Sequence, residues 1–277
     1  MNPWKTEDYS VLDQPHILRY LFHPRFENGY RPGRANREDI LIRVDEGVDL
    51  GASFHFVHQG GPVLLFFHGN GEIVSDYDDF GKFYNDLGLN FLVVDYRGYG
   101  RSTGTPAVSS MMKDCHRIFD FVTAYMQKNA LTGPLCVMGR SLGSASAVEL
   151  GAARADEFAC LIIESGFARI SPLLKTLGLD PEGIGFKEKR GNENIDKIKT
   201  VLKPCLVIHA EFDHIIPFSE GKALFEACGS NNKTLLEIKG ANHNDIFFKD
   251  MNSYLDHIRK ICHLRVDMES GSLQNSI

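Results

Sequence analysis

Short apolar segments alternate with longer amphipathic segments along most of the chain, and this alternation restricts the possible folds more than any other feature. The strand-like segments are apolar on both faces, which is typical of a parallel sheet covered by helices. They lie at 40–44, 49–57, 62–67, 90–95, 135–138, 159–163, 205–209 and 234–238. Helices are predicted at 75–87, 109–128, 141–154, 218–228 and 245–261. Repeated strand–helix units predict an α/β protein with right-handed crossovers.

Three segments fall outside this alternation. Residues 1–37 carry too many apolar side chains for a free tail, so we expect them to pack on the flank of the sheet. Residues 167–203 form a small insertion within the main domain, which spans 38–262, and they combine a short helix with a glycine- and charge-rich loop. Residues 263–277 form a polar tail that we expect to be frayed.

The composition excludes several classes of protein. With 43% apolar and 24% charged residues, the chain is neither disordered, nor collagen-like, nor a coiled coil. A net charge of −6 without a basic stripe argues against a nucleic-acid partner. We expect no integral membrane segment, because no stretch approaches the roughly 18 apolar residues of a spanning helix. The N-terminus also lacks the apolar core of a signal peptide, so a cytoplasmic location is expected.

Six cysteines are scattered along the chain without any Cys-x-x-Cys pair: Cys115, Cys136, Cys160, Cys205, Cys228 and Cys262. Two of them, Cys136 and Cys205, lie inside apolar segments. This pattern favours reduced thiols in the core of a cytosolic protein over a disulfide framework or a zinc site. We therefore expect neither a metal nor a cofactor.

The sequence Gly-Arg-Ser-Leu-Gly at 139–143 directly follows a predicted strand and opens a predicted helix. Glycines two residues before and after the serine leave room for a tight turn in which the serine holds a strained backbone conformation. The helix N-terminus adds partial positive charge where an oxyanion would form. Ser141 is thus the predicted nucleophile. Arg140 beside it either pairs with a substrate carboxylate or braces an acidic loop residue.

A serine nucleophile needs a histidine as base and a carboxylate that orients the histidine. In a strand–turn–helix setting of this kind the acid and the histidine follow the serine in the chain, after two late strands. Asp213 follows the seventh predicted strand and His243 follows the last one. His214 is the alternative base, and Glu164 and Glu211 are the alternative acids. Chain order and placement favour Asp213 and His243.

The negatively charged intermediate of acyl transfer needs two N–H donors. One is expected from the amide of Leu142, the residue after the nucleophile, and the other from the loop after the third strand. That loop reads His-Gly-Asn-Gly-Glu at 68–72, where two glycines let the backbone turn its amides toward the site. We predict Asn70 as the donor, with Gly71 second. His68 is expected to brace the turn.

Taken together, these motifs resemble the α/β-hydrolase superfamily of serine hydrolases. The resemblance covers roughly 38–262 and includes the glycine-rich turn at 95–104. It implies the α/β-hydrolase fold, with a mostly parallel sheet of about eight strands flanked by helices and a short cap insertion. Within the superfamily the chain looks like a compact branch that includes protein depalmitoylases. However, residues 1–37 lack the cysteine cluster of membrane-acting depalmitoylases, and the insertion is smaller than the caps of enzymes for bulky lipids.

The serine at the strand–helix turn distinguishes this chain from relatives that use other nucleophiles. Haloalkane dehalogenases and epoxide hydrolases of the superfamily carry aspartate there, and dienelactone hydrolases carry cysteine. Serine implies an acyl-enzyme, so we predict a metal-independent hydrolase of small-molecule carboxylic esters or acyl thioesters with short-to-medium acyl chains. A peptidase or amidase with the same triad, and a non-catalytic binding protein on the same fold, are the alternatives. The oligomeric state is not predicted.

Overall fold

An eight-stranded sheet runs through the computed structural model, which describes residues 9–27, 36–187 and 193–264. Its strands lie in the order β1-β2-β4-β3-β5-β6-β7-β8. They are β1 (Arg37–Asp45), β2 (Val48–His55), β3 (Val63–Phe67), β4 (Asn90–Val94), β5 (Leu135–Arg140), β6 (Leu161–Glu164), β7 (Cys205–Ala210) and β8 (Lys233–Ile238). Each predicted strand corresponds to one of these, which confirms the predicted sheet.

The sheet is parallel from β3 to β8, and only β2 pairs antiparallel, with β1 on one side and β4 on the other. The β1–β2 hairpin turns at Gly47, whose φ of 68° lies in the region that glycine adopts most easily. Because parallel strands end at the same edge, the loops after β3, β5, β7 and β8 open together. These loops carry all of the predicted catalytic residues.

The helices of the described ranges connect these strands. They are α1 (Pro15–Leu21), α2 (Phe80–Asp86), α3 (Val108–Lys128), α4 (Gly143–Ala153), α5 (Ile170–Thr176), α6 (Asn194–Lys197), α7 (Phe218–Ala227), α8 (Ile246–Lys249) and α9 (Met251–Cys262). Two predicted helices are divided. The first predicted one consists of a 3-10 turn at Val74–Tyr77 followed by α2. The last consists of α8 and α9, separated at Asp250, whose side chain accepts a hydrogen bond from the amide of Ser253 and caps α9.

Two hydrophobic layers cover the sheet, and β3 shows how the sequence builds both. Val63, Leu65 and Phe67 contact one layer, while Leu64 and Phe66 contact the other, as the two-residue period of a strand requires. The first layer contains side chains of α1, α3, α4, α5 and α7. The second contains side chains of α2, α8 and α9. All five residues of β3 are at most 1% exposed, so the strand is buried on both faces.

The described part of the N-terminal segment contributes to the first layer through buried side chains: Tyr9, Leu12, Ile17, Leu21 and Phe22. Its amino end, residues 1–8, and the stretch 28–35 lie outside the described residues. So do residues 188–192 of the predicted insertion and residues 265–277 of the predicted tail. The domain boundaries at 37/38 and 262/263 remain predictions.

Candidate active site

The turn between β5 and α4 has the strained geometry that the sequence predicts. Ser141 has a φ of 51°, in the left-handed region that costs non-glycine residues energy. Its amide donates to the carbonyl of Glu164 at 2.8 Å, which ties the turn to the end of β6. A Cβ atom on Gly139 would lie 2.2 Å from the carbonyl oxygen of Gly143, so the flanking glycines let the backbone segments approach closely. The fold therefore holds the serine in one conformation.

Ser141, His243 and Asp213 form one hydrogen-bonded line. The Nε2 atom of His243 lies 3.0 Å from the Oγ atom of Ser141. The Nδ1 atom of the same ring lies 2.7 Å from an Asp213 carboxylate oxygen. The serine and the histidine are 102 residues apart in the chain. The three residues thus meet only because β5, β7 and β8 end at one edge of the sheet.

Asp213 is held by the loop that follows β7. The amides of Ile215 and Ile216 donate to its Oδ1 atom at 3.0 and 2.8 Å, so Oδ2 remains directed at the His243 ring. Burial raises the pKa of Asp213, but hydrogen bonds from His243 and the Ile216 amide outweigh burial and hold this pKa below its ordinary value. Asp213 is therefore an ionised hydrogen-bond acceptor. Burial also lowers the pKa of the neighbouring His209.

The alternative residues are engaged elsewhere. His214 is exposed at the surface. Glu211 accepts a hydrogen bond from the amide of Gly240 at 2.8 Å, which links the loops after β7 and β8. The carboxylate of Glu164 binds Arg140 and the hydroxyl of Tyr254. None of these side chains is hydrogen-bonded to Ser141 in the described structure.

The loop after β3 lies against the N-terminal segment. The side chain of Asn70 accepts hydrogen bonds from the His23 amide at 2.9 Å and from the Tyr99 hydroxyl at 2.7 Å. Among the described residues, the main-chain amide of Asn70 has no hydrogen-bond acceptor, and the same holds for the amide of Leu142 at the start of α4. The amide of Leu142 is unpaired because it lies at the N-terminus of α4, where the first amides have no partner within the helix. Both amides are thus available to an incoming acceptor.

Gly71 and His68 have structural contacts. Gly71 has a φ of 74°, and its carbonyl accepts a hydrogen bond from Arg25 at 3.0 Å. This contact links Gly71 to the N-terminal segment, and its role as the second donor at the substrate stays a prediction. His68 is fully buried between its neighbour's carbonyl and Asp95, as expected of a brace.

With this geometry established, comparison with known proteins gives the family. Residues 60–181 match the model of a hydrolase family described as serine aminopeptidase, S33. The chain is 30% identical to protein bem46 of Schizosaccharomyces pombe, over 68% of this chain and 64% of that protein. It is 32% identical to human alpha/beta hydrolase domain-containing protein 17B, over 66% of this chain and 60% of that protein. With lysophosphatidylserine lipase ABHD12 of Xenopus tropicalis, the identity is 31% over 67% of this chain and 52% of that protein.

Solved structures agree with this match. The esterase Pf2001 of Pyrococcus furiosus superimposes with a TM-score of 0.69 at 16% identity, over 87% of this chain and 97% of that chain. The monoacylglycerol lipase of Paleococcus ferrophilus gives 0.59 at 21% identity, over 77% and 98%. This chain belongs to the α/β-hydrolase superfamily. The matched region spans about half to two thirds of the length of the curated relatives.

In this α/β-hydrolase each of the three guanidinium nitrogens of Arg140 binds a protein group. Its Nε atom donates to Glu164 at 3.1 Å, its Nη1 atom binds Glu72, and its Nη2 atom donates to the main-chain carbonyl of His243 at 2.8 Å. The side chain therefore braces acidic residues, which was one of the two predicted alternatives. Its partner Glu72 carried no recognisable signal in the sequence.

A cavity of about 170 Å³ adjoins this cluster. Arg140, Glu72 and Glu164 line one part of it, and aromatic rings such as those of Tyr77 and Phe247 line the rest. Asn244 and Ile246, which follow His243 in the chain, also line this cavity, whereas Ser141 does not. The cavity therefore gives access to the Arg140 cluster.

Three of the six buried, unpaired cysteines of this hydrolase lie together, away from the candidate site. The Sγ atoms of Cys136, Cys160 and Cys262 all lie within 4.8 Å of one another, so this group could hold a soft metal ion. Cys136 lies near the start of β5, whereas Ser141 follows its end. Because the three cysteines are widely spaced along the chain, no metal-binding pattern is recognisable in the sequence.

Proposed function

We propose that this hydrolase cleaves carboxylic esters or acyl thioesters through an acyl-enzyme on Ser141. The main support is the hydrogen-bonded line of Ser141, His243 and Asp213, with distances of 3.0 and 2.7 Å. A nucleophile and its base within hydrogen-bond reach, with a third group orienting the base, are the arrangement that activates a serine hydroxyl. The strained turn that presents the serine adds further support.

In the proposed mechanism the Oγ atom of Ser141 attacks the acyl carbonyl while Nε2 of His243 accepts its proton. Ionised Asp213 keeps the Nδ1–H tautomer of His243 and stabilises the imidazolium that forms. The amides of Asn70 and Leu142 hold the oxyanion. His243 then donates its proton to the leaving alcohol or thiol, and an acyl-serine remains. Water, deprotonated by His243, then attacks the acyl-serine, and as the bond to Oγ breaks His243 returns the proton to Ser141 and the acid is released.

Small esters or thioesters of short-to-medium acyl chains are the proposed substrates. The similarity to a lysophosphatidylserine lipase and to an esterase and a monoacylglycerol lipase of known structure supports an ester. The mechanism needs no cofactor. Among the described residues, every helix is too short or too polar to cross a bilayer. We propose a cytoplasmic location because six unpaired, buried cysteines suit a reducing compartment.

A peptidase or amidase is the second candidate, because the matched family is described as serine aminopeptidase. An aminopeptidase needs a carboxylate for the free amine of its substrate. Glu72 and Glu164, which lie near the nucleophile, are both bound to Arg140. This pairing leaves neither acid free for an amine and favours the ester proposal.

Fluorophosphonate labelling followed by intact-mass measurement tests the nucleophile. We expect one adduct on the wild type, none on Ser141→Ala and slow labelling of His243→Ala. Ser144→Ala is the matched control, because Ser144 is buried in α4 and its hydroxyl has no hydrogen-bond partner among the described residues. An adduct that persists in Ser141→Ala would show that another residue is the nucleophile, and no adduct on folded wild type would favour a binding protein.

A panel of p-nitrophenyl esters, acyl thioesters and aminoacyl anilides then tests the substrate class. We expect turnover of the esters and thioesters to peak at short-to-medium acyl chains. Maximal turnover of long-chain esters would contradict the chain-length proposal. Faster cleavage of the anilides would favour the peptidase.

A further inference from the structure

We propose that Arg140 is a positioning residue that holds the oxyanion loop, 68–72, and the His243 loop in place around Ser141. The proposal rests on the proposed function, because it assigns Arg140 to the same reaction. Arg140 binds no substrate in this proposal. It acts through three protein groups, one for each of its guanidinium nitrogens.

The first contact fixes the oxyanion loop. Glu72 binds the Nη1 atom of Arg140 through Oε1 and accepts the amide of Gly69 through Oε2 at 2.7 Å. Gly69 directly precedes Asn70, whose amide is the proposed oxyanion donor. The hydroxyl of Tyr77 also donates to Oε2. The carboxylate of Glu72 therefore connects Arg140 to the loop that carries the donor amide.

The second contact fixes the base. The Nη2 atom of Arg140 donates to the main-chain carbonyl of His243 at 2.8 Å. The ring of His243 is already bound on both sides, by Asp213 and by Ser141. The hydrogen bond from Arg140 to the main-chain carbonyl holds the backbone from which the imidazole extends. The base is thus fixed at both its ring and its main chain.

The third contact connects Arg140 to the residue that holds the backbone of Ser141. The Nε atom of Arg140 donates to Oε1 of Glu164 at 3.1 Å, and the hydroxyl of Tyr254 donates to Oε2 at 2.6 Å. The main-chain carbonyl of Glu164 accepts the amide of Ser141 at 2.8 Å. One guanidinium thereby connects the donor loop, the base and the strand that holds the nucleophile. Lysine cannot replace it, because a single ammonium lacks the planar fork that reaches three acceptors.

Burial makes these contacts costly to lose. The side chains of Arg140 and Glu164 are only 13% and 6% exposed. Burial raises the pKa of Glu164, whereas at Glu72 burial is outweighed by Arg140 together with the hydrogen bonds from Tyr77 and Gly69 and the nearby His68, so the pKa of that carboxyl is lowered. Without the cation the half-buried carboxylate of Glu72 and the buried carboxylate of Glu164 would lose the positive charge that they share, and neighbouring like charges repel. We therefore expect both loops to shift when the guanidinium is removed.

The adjoining cavity allows an experiment that distinguishes a positioning role of Arg140 from a general structural role. Arg140→Ala leaves the space of the lost guanidinium open to the cavity of about 170 Å³. Guanidinium ion added at tens of millimolar can enter that space and restore the three hydrogen bonds. Ammonium ion at the same concentration has the charge but not the planar fork.

The experiment measures kcat, KM and the rate of fluorophosphonate labelling on an ester that the wild type cleaves. For Arg140→Ala we expect kcat and the labelling rate to fall roughly 100-fold, as for an atomic misplacement of about 1 Å, with KM changed less than about threefold. Guanidinium should restore at least about a tenth of wild-type kcat, and ammonium should not. Arg140→Lys should resemble Arg140→Ala.

Arg154→Ala is the matched control. Arg154 is similarly buried and binds two acids, Glu157 and Asp120, but it lies just past the opposite end of α4 from Ser141. Its substitution should lower Tm without changing kcat, and guanidinium should have no effect. If Arg140→Ala does not fold, the kcat of Glu72→Gln tests the proposal instead. That substitution removes the negative charge through which Arg140 is linked to the oxyanion loop.

Several results would overturn the proposal. Wild-type kcat in Arg140→Ala, or in Glu72→Gln where that variant decides, would show that the cluster does not position the site. A loss confined to KM would assign Arg140 to substrate binding. A kcat loss that guanidinium does not restore would indicate a general structural role. Failure of the proposed function itself looks different, because the wild type would then not label at all.

Discussion

Gly143→Ala tests whether α4 and the oxyanion loop are in fixed contact. Gly143 is the first residue of α4 and packs against the end of β3. A Cβ atom at this position would lie 2.1 Å from the carbonyl oxygen of Phe67 and 2.8 Å from that of His68. Both are main-chain atoms, so no side-chain rotation can relieve the overlap.

The size of the overlap gives the size of the effect. The closest contact must open by roughly 1 Å to approach an ordinary van der Waals separation. Overpacking of this kind costs about 1–3 kcal/mol, and each kcal/mol lowers Tm by about 2–4 °C in a domain of this size. Phe67 and His68 lead directly into the loop that carries Asn70. A displacement of about 1 Å there should lower kcat roughly 100-fold.

Steady-state ester hydrolysis and thermal unfolding measure the two effects separately. Gly151→Ala is the matched control on the same helix. Its Cβ would meet methyl carbons of Leu161 and Val201, each at 3.1 Å, and these side chains can adjust. Alanine also favours a helix interior by about 1 kcal/mol over glycine. We expect Gly151→Ala to keep wild-type kcat and a Tm close to that of the wild type or above it.

Two outcomes would refute this reasoning. Unchanged Tm and kcat in Gly143→Ala would mean that the helix and β3 are not packed as described. A lower Tm with wild-type kcat would mean that the helix absorbs the whole displacement. In that case position 143 would not be coupled to the oxyanion loop.

Further predictions concern the acid, the nucleophile and the thiols. Asp213→Asn should lower kcat roughly 10³–10⁴-fold in ester hydrolysis, because asparagine cannot stabilise the imidazolium. Since the folded-state pKa of Asp213 is lowered, its stabilisation is complete above about pH 4 and is lost as pH falls further, so the decline of Tm with acid should be shallower in this variant. In urea unfolding, Ser141→Gly should be at least as stable as Ser141→Ala, because relief of the left-handed strain of about 1–2 kcal/mol exceeds the entropic cost of glycine. In native protein the cysteines should react slowly with Ellman's reagent, because all six are buried and burial raises the pKa of Cys115 well above its ordinary value. Peptide mapping should find Cys228 modified first, since a hydrogen bond with Cys205 lowers its pKa to about 7 and its side chain is 4% exposed, whereas Cys136, whose pKa is also lowered, is fully buried.

The sequence was sufficient for the sheet because buried parallel strands leave a strong local signal. All five residues of β3 are apolar, and the pentapeptide at 139–143 marks the turn after β5 by its glycines. The proximity of Ser141, Asp213 and His243 followed from chain order once the strands were assumed parallel. These inferences needed only local pattern and the common edge of the strands.

Contacts between distant side chains could not be inferred in this way. Arg140 and Glu72 are 68 residues apart, and nothing in either neighbourhood distinguishes an ion pair from two solvated charges. The break between α8 and α9 depends on the capping side chain of Asp250, whereas the apolar pattern runs on through it. The grouping of Cys136 with Cys160 depends on strand register and not on spacing. Each of these features is set by tertiary structure.

The contacts of His23 and Arg25 with the loop at 68–72 have a consequence for how this chain can be shortened or altered. A chain that begins at β1 would retain the sequence of every strand and the three residues of the proposed triad, but it would lose the buried side chains that the N-terminal segment packs into the first layer. It would lose the groups that hold the side chain of Asn70 and the carbonyl of Gly71. The residues of the proposed triad and the groups that hold the proposed oxyanion loop therefore belong to different stretches of the chain. Exchange of residues 22–27 among relatives could accordingly change turnover while the triad remains untouched.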